Sequence, residues 1–212
     1  MHKSIIKLTN KNWLLAINTL KKKDIILKKI INRYRLEKLQ SKKNAFLTLA
    51  KSITGQQISI KAANSIWEKL EKKIKKITPN NILKSKKNEI AKCGFSKQKI
   101  NYLLNLANFF KKNKNIEKKW KKIEDEKVIE DLVKIKGIGR WTAEMFLIFY
   151  LLRPNIFPSA DVGLLRAISI NYNLKHPLKK EEIEKFRKKW RPWSTVAVWY
   201  LWRSLDPIPV KY

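Results

Sequence analysis

The chain has 212 residues, enough for one domain or two small lobes around a real core, and its 49 Lys+Arg against 17 Asp+Glu give a formal net charge of +32. That excess points to a polyanion partner, but lysine is enriched together with isoleucine and asparagine, a pattern that an A/T-rich coding bias also produces, so charge is support rather than proof. The single cysteine, Cys93, excludes an intramolecular disulfide and a four-thiolate cluster, and His2 and His176 are too few and too scattered for a zinc site.

Nearly every segment reads helical, because glycine is scarce and no stretch sustains a period of two. Residues 10–34 read as one or two helices. Residues 44–74 hold another long one, with Phe46, Leu49, Ile53 and then Ala63, Ile66, Trp67 and Leu70 on apolar faces. Thr78-Pro79 is a cap-then-proline start. Gly94 ends a short helix, and Ser96 caps the next, which runs to about Lys111. Residues 111–122 are dominated by Lys and Asn, with Trp120 as an anchor; they read as a solvated connection or a helix end, and as the most mobile segment. Residues 124–135 form a helix with Asp125 as N-cap and Val128, Leu132 and Ile135 at i, i+4, i+7. A very apolar helix over residues 140–152 stops before Pro154. Helices over 161–172, 180–190 and 194–205 complete an all-α chain without internal repeats. The apolar run 145–152 is far short of a membrane span, and the N-terminus has no signal-peptide pattern. A soluble, cytoplasmic protein is expected, nucleoid-associated in a prokaryote.

Two places carry chemistry. Gly137-Ile138-Gly139 stands between two helices, and glycine tolerates the positive φ that a tight reversal needs. The reversal leaves the amides of Gly137, Gly139 and Arg140 at a helix N-terminus, where free N–H groups and the dipole favour an anion. Taken alone, so short a motif is weak, and an ordinary turn between helices is the simpler reading. Asp161, in Pro158-Ser159-Ala160-Asp161-Val162-Gly163, opens a later helix. The residue type fits an N-cap. A helix N-terminus also keeps a carboxylate ionised, and an ionised carboxylate stabilises a developing cation or orients a water. The two readings are compatible.

The string Leu132-Val133-Lys134-Ile135-Lys136-Gly137-Ile138-Gly139-Arg140-Trp141-Thr142-Ala143, followed by Asp161-Val162-Gly163, resembles the helix-hairpin-helix DNA glycosylase superfamily. Gly139-Arg140-Trp141-Thr142-Ala143 and the aromatic tail from Trp190 through Trp193 and Trp199 to Trp202 are similar to its alkyladenine (3-methyladenine type II) branch. The resemblance covers roughly residues 44–206. It implies a two-lobed, all-α fold with the hairpin at an interlobe cleft. Residues 44–123 would form the central helical lobe, 124–152 the helix-hairpin-helix, and 153–206 the Asp loop and C-terminal helices, the whole of 1–212 being one glycosylase unit. Longer relatives carry an N-terminal β-rich domain; the absence of a strand pattern makes a compact form the expectation.

The resemblance also implies roles. Asp161 is the catalytic carboxylate, and Trp141, Trp202 and Met145 line the base pocket. Ser52-Ile53-Thr54-Gly55-Gln56-Gln57-Ile58-Ser59 is similar to the family's loop between helices, in which Gln57 fills the hole left by a flipped nucleotide, with Gln56 beside it. The amides of Gly137 and Gly139, with Arg140, hold a DNA phosphate, and the carbonyls of Val133, Ile135 and Ile138 hold a structural Na+ or K+. No catalytic cofactor and no iron–sulfur cluster are expected. Trp141 stands where lyase-type relatives keep a Schiff-base lysine, so the implied reaction is monofunctional base excision from double-stranded DNA by a monomer. Alkylation makes a purine cationic, indole faces attract cations, and damaged bases leave the stack more readily. Ser194 departs from the pattern, since relatives often have Arg or Lys there. The rivals are a non-catalytic hairpin DNA-binding protein, which needs neither Asp161 nor the tryptophans, and a bifunctional glycosylase/lyase, which Trp141 opposes.

Overall fold

The computed structural model describes residues 6–34, 38–42 and 44–205. The chain divides into two compact units, one formed by the chain up to Ser41 and from Leu147 onward, the other by Lys42–Phe146. Helices α1 (Asn10–Lys23) and α2 (Ile25–Arg33) open the first unit. The second holds α3 (Ala45–Gly55), α4 (Ile60–Ile74), α5 (Pro79–Lys84), α6 (Lys87–Lys92), α7 (Lys97–Lys112), α8 (Ile116–Trp120) and α9 (Asp125–Val133). Helix α10 (Arg140–Phe149) carries the chain back to the first unit, which α11 (Val162–Asn171), α12 (Lys180–Lys189) and α13 (Ser194–Leu205) complete. No strand occurs among the described residues, and none of their helices is long and apolar enough to cross a membrane.

In the first unit, residues 10–34 form two helices because Asp24 breaks the run. Its Oδ1 accepts from the Ile26 and Leu27 amides at 3.0 and 3.1 Å, capping α2. Helix α13 packs against α1, α2 and α11. Trp190, Trp193, Trp199 and Tyr200 are buried in the same core as Trp13, Leu20 and Leu27. Trp13 meets Trp199 edge-on at 5.6 Å, an arrangement aromatic pairs favour.

In the second unit, α7 is the central element, with α3, α5 and α6 packed on it. The single long helix expected over 44–74 is two helices. Gln57 adopts φ +57, which a helix cannot continue through, and Ser59 restarts the chain by accepting from the Ala62 amide at 3.2 Å. Thr78 caps α5 ahead of Pro79, and Ser96 caps α7, as their types predict. Residues 111–122 are not merely a solvated connection. They contain α8, and Trp120 is fully buried, stacked on Phe109 at 6.0 Å and edge-on to Phe146 at 5.4 Å. The lysines and asparagines of this segment are solvated; its indole joins the core, and Trp120 Nε1 and Lys119 Nζ both donate to Asp131 on α9.

The hairpin helices are shorter than their apolar periodicity suggests. The N-cap of α9 is Glu124 rather than Asp125, which lies in the first turn with Glu126, where the dipole favours acids. Helix α9 stops at Val133, and Ile135 N–H turns back to Leu132 O. Helix α10 stops at Phe149 instead of 152. Leu152 takes φ +53, and Arg153 N–H bonds Leu147 O, so the turn is complete before Pro154.

Candidate active site

The second unit brings two separate motifs to one cavity of about 380 Å3, lined by Gln56 and Gln57 from the α3–α4 loop and by Val133, Ile135 and Gly137 to Gly139 from the hairpin. Gln56 Nε2 donates to Gly137 O at 2.9 Å, tying the loop to the turn. Lys99 Nζ donates to Thr54 O at 2.7 Å and so holds the other shoulder of the loop. Burial lowers the Lys99 pKa from its ordinary value. Just past these two anchors, Gln57 is exposed in its left-handed conformation.

Gly137 is required twice over. Its φ is +103, and a Cβ there would lie 2.6 Å from Tyr102 Cβ, inside van der Waals contact. Gly139 has no heavy atom within 4 Å of a Cβ position, so steric need does not explain it. Its amide and that of Arg140 lie at the start of α10, beyond reach of an intrahelical carbonyl. The Arg140 guanidinium is committed to carboxylates: Nη1 meets Glu126 at 3.1 Å and Nε meets Glu144 at 3.3 Å. Hydrogen bonding to Glu126 raises its pKa, and the neighbouring Glu144 carboxylate adds to this. What Arg140 offers an anion in this structure is therefore its amide rather than its fork. On the same helix Trp141 is exposed and Met145 is buried.

The first unit carries the carboxylate. Pro158 O accepts from the Asp161 amide at 3.0 Å, closing a turn that delivers Asp161 to the N-cap of α11. Asp161 Oδ1 accepts from the Leu164 amide at 2.6 Å and from Trp202 Nε1 at 2.9 Å. Trp202, half-buried on α13, stacks against Phe149 with ring centroids 5.9 Å apart and an interplanar angle of 13°. A Cβ at Gly163 would sit 3.3 Å from Asp161 Oδ1, so the absence of a side chain there leaves the carboxylate its place. Ser194, the departure from the branch's pattern, is buried and donates to Asn155 Oδ1 at 2.8 Å. A charged side chain would have to be accommodated in that buried position.

Three residues at these sites carried no sequence signal. Tyr102, Lys99 and Phe149 read as ordinary helix positions, and their roles come from contacts with distant segments. Gly163 read as part of a motif, without a reason for its size.

The chain matches the family described as HhH-GPD superfamily base excision DNA repair protein over residues 50–192. It is 32% identical over 183 residues to DNA-3-methyladenine glycosylase 1 of Schizosaccharomyces pombe, covering 84% of this chain and 80% of that protein. Among solved structures it is similar to a DNA-3-methyladenine glycosidase from Bacillus halodurans, with a TM-score of 0.78, 31% identity and coverage of 90% and 89%. It is also similar to the Schizosaccharomyces pombe 3-methyladenine DNA glycosylase in complex with abasic DNA, with a TM-score of 0.77, 30% identity and coverage of 89% and 95%. With the family's hairpin and Asp step both standing in the matched span, the chain belongs to the HhH-GPD superfamily of base excision DNA repair proteins.

Proposed function

We propose that this base excision repair protein is a monofunctional DNA glycosylase that removes alkylated purines of the 3-methyladenine and 7-methylguanine type and leaves an abasic site. The observation that carries the proposal is the Asp161 carboxylate, held at a helix N-terminus with Oδ1 fixed by the Leu164 amide and the Trp202 indole. The names of its relatives support the substrate class, and the abasic DNA bound by one of them supports DNA as the partner, taken here as double-stranded.

The chemistry follows from charge. Alkylation at N3 or N7 gives the purine a positive charge. As the bond from C1′ to the base breaks, its electron pair moves to the base and neutralises that charge, so the base leaves without a strong acid. Positive charge appears instead on the sugar, where an ionised Asp161 stabilises it. Water then bonds C1′ and gives up a proton, with Asp161 assigned to orient the water or accept that proton. Trp202 and Trp141 are assigned to the base because indole faces attract cations by roughly 0.5–2 kcal/mol. Met145 is assigned to the breadth of bases accepted. Trp141 offers no amine, so no Schiff base forms from that position.

Gln57 is assigned to the gap in the stack, and the Gly137, Gly139 and Arg140 amides to a phosphate, acting in a monomer. The carbonyls of Val133, Ile135 and Ile138 belong to residues lining one cavity, and such hard oxygens suit a Na+ or K+ ion that would reinforce the positive end of the hairpin.

Incubation with methylated duplex DNA, analysed with and without alkali, tests the proposal. Released base with strand breaks only after alkali is the expected result. Breaks without alkali would indicate a lyase, and no released base would favour a non-catalytic binder.

A further inference from the structure

We propose that the DNA backbone flanking the lesion runs past the hairpin into a second, lysine-lined groove on the same unit. The proposal rests on the glycosylase reading above. A cavity of about 710 Å3 shares Gln98, Tyr102 and Lys136 with the hairpin cavity, so the two adjoin. Its far walls include Lys87 at the start of α6 and Lys97 and Asn101 on α7. Lys97 and Asn101 are one turn apart and share a helix face. Lys87, Lys97 and Lys136 are all exposed, and no carboxylate lines either cavity.

The nearby acid is occupied elsewhere: Glu89 pairs with Lys73 at 3.2 Å and accepts from the Lys86 amide at 3.3 Å. Tyr102 forms the shared wall, its ring against Gly137 and its hydroxyl accepting from Gln98 Nε2 at 2.6 Å. A phosphate at the hairpin amides is therefore followed, along one surface, by three cationic side chains and an exposed amide. That is the chemistry of a polyanionic strand rather than of one isolated anion, and it reads no base sequence.

The test is binding of abasic duplex DNA across a salt series. It compares the wild type, the pair Lys87→Gln/Lys97→Gln, and a charge-matched pair on the first unit, Lys180→Gln/Lys185→Gln. All four lysines are exposed, so the fold is retained. The groove pair should bind several-fold more weakly at low salt. The slope of log affinity against log salt should flatten by roughly 0.9 for each lost phosphate contact, while the α12 pair keeps the wild-type slope. On duplexes shortened stepwise from either side of the abasic site, the groove pair's deficit should vanish for one direction of shortening.

Equal flattening by both pairs would mean a general field of the +32 chain and overturn the groove. An unchanged slope in the groove pair would overturn it as well. Wild-type protein that releases methylated bases normally would leave the glycosylase reading standing in both cases; failure of the wild type to release base or bind would sink both.

Discussion

Trp202 Nε1 and the Leu164 amide converge on one atom, Asp161 Oδ1, and this fixes the carboxylate more firmly than a cap alone. A hydrogen bond to a charged group contributes about 1.5–3 kcal/mol. Trp202→Phe keeps a ring to stack on Phe149 but loses the donor, so base release at saturating DNA should fall about 10- to 100-fold with a smaller change in KM. A fall confined to KM would mean that the indole only binds. Asp161 and its cap role were legible because the information is local: a turn, a capping residue and a Val-Gly step within a few positions. Its bond to Trp202 spans 41 residues and was legible only through the resemblance of the aromatic tail. Lys99 and Tyr102 were not legible. Each sits on a regular helix face, and its partner, Thr54 or Gly137, lies on another segment with no periodic mark of the pairing.

Among elements, the hairpin depends on one glycine more than its motif suggests. Gly137→Ala must accept a positive φ and displace the Tyr102 ring. Abasic-DNA affinity should drop at least about tenfold, as expected when ordered amides are lost. Gly139→Ala, which meets no neighbour in the free protein, should leave thermal stability near wild type, and a comparison of melting temperatures checks both. Equal stability losses would remove the distinction. The helix content of the chain was readable from apolar periodicity and caps, and α5, α7 and α13 begin at the expected residues. Boundaries were less readable where apolar residues run on past a turn. Ile135 and residues 150–152 extend the pattern of the hairpin helices, but backbone geometry set by Gly137 and Leu152 ends them. The break at Gln57 was hidden from periodicity in the same way within 44–74, and only the resemblance of residues 52–59 to a loop between helices marked it.

At the scale of the molecule, the N-terminal helices gave no sequence hint of their purpose, and the structure builds them into the unit that carries Asp161. Asp24 is the tie. Its Oδ2 accepts from Tyr172 at 2.8 Å, Lys189 at 2.8 Å and Trp190 at 3.1 Å, linking α2 to the ends of α11 and α12. Burial alone would raise the Asp24 pKa, but the bonds from Lys189, Trp190, the Leu27 amide and Tyr172 outweigh it and hold the carboxyl below its ordinary value of 3.8. Burial, then the bond to Asp24, pushes the Tyr172 phenol far up. Asp24→Ala should cost on the order of 3 kcal/mol of unfolding free energy at neutral pH, measured by denaturant titration. Because the folded pKa is depressed, that difference should hold above the unfolded value and shrink as pH falls below about 4 through the folded one. A difference that grew on acidification would contradict the assignment. The most direct measurement, however, concerns the carboxylate that the whole fold presents: single-turnover release of bases from a methylated duplex by Asp161→Asn, paired with its binding to abasic DNA. Loss of about 100-fold or more in release with binding retained is the predicted result, and release near the wild-type rate would contradict the central role of Asp161.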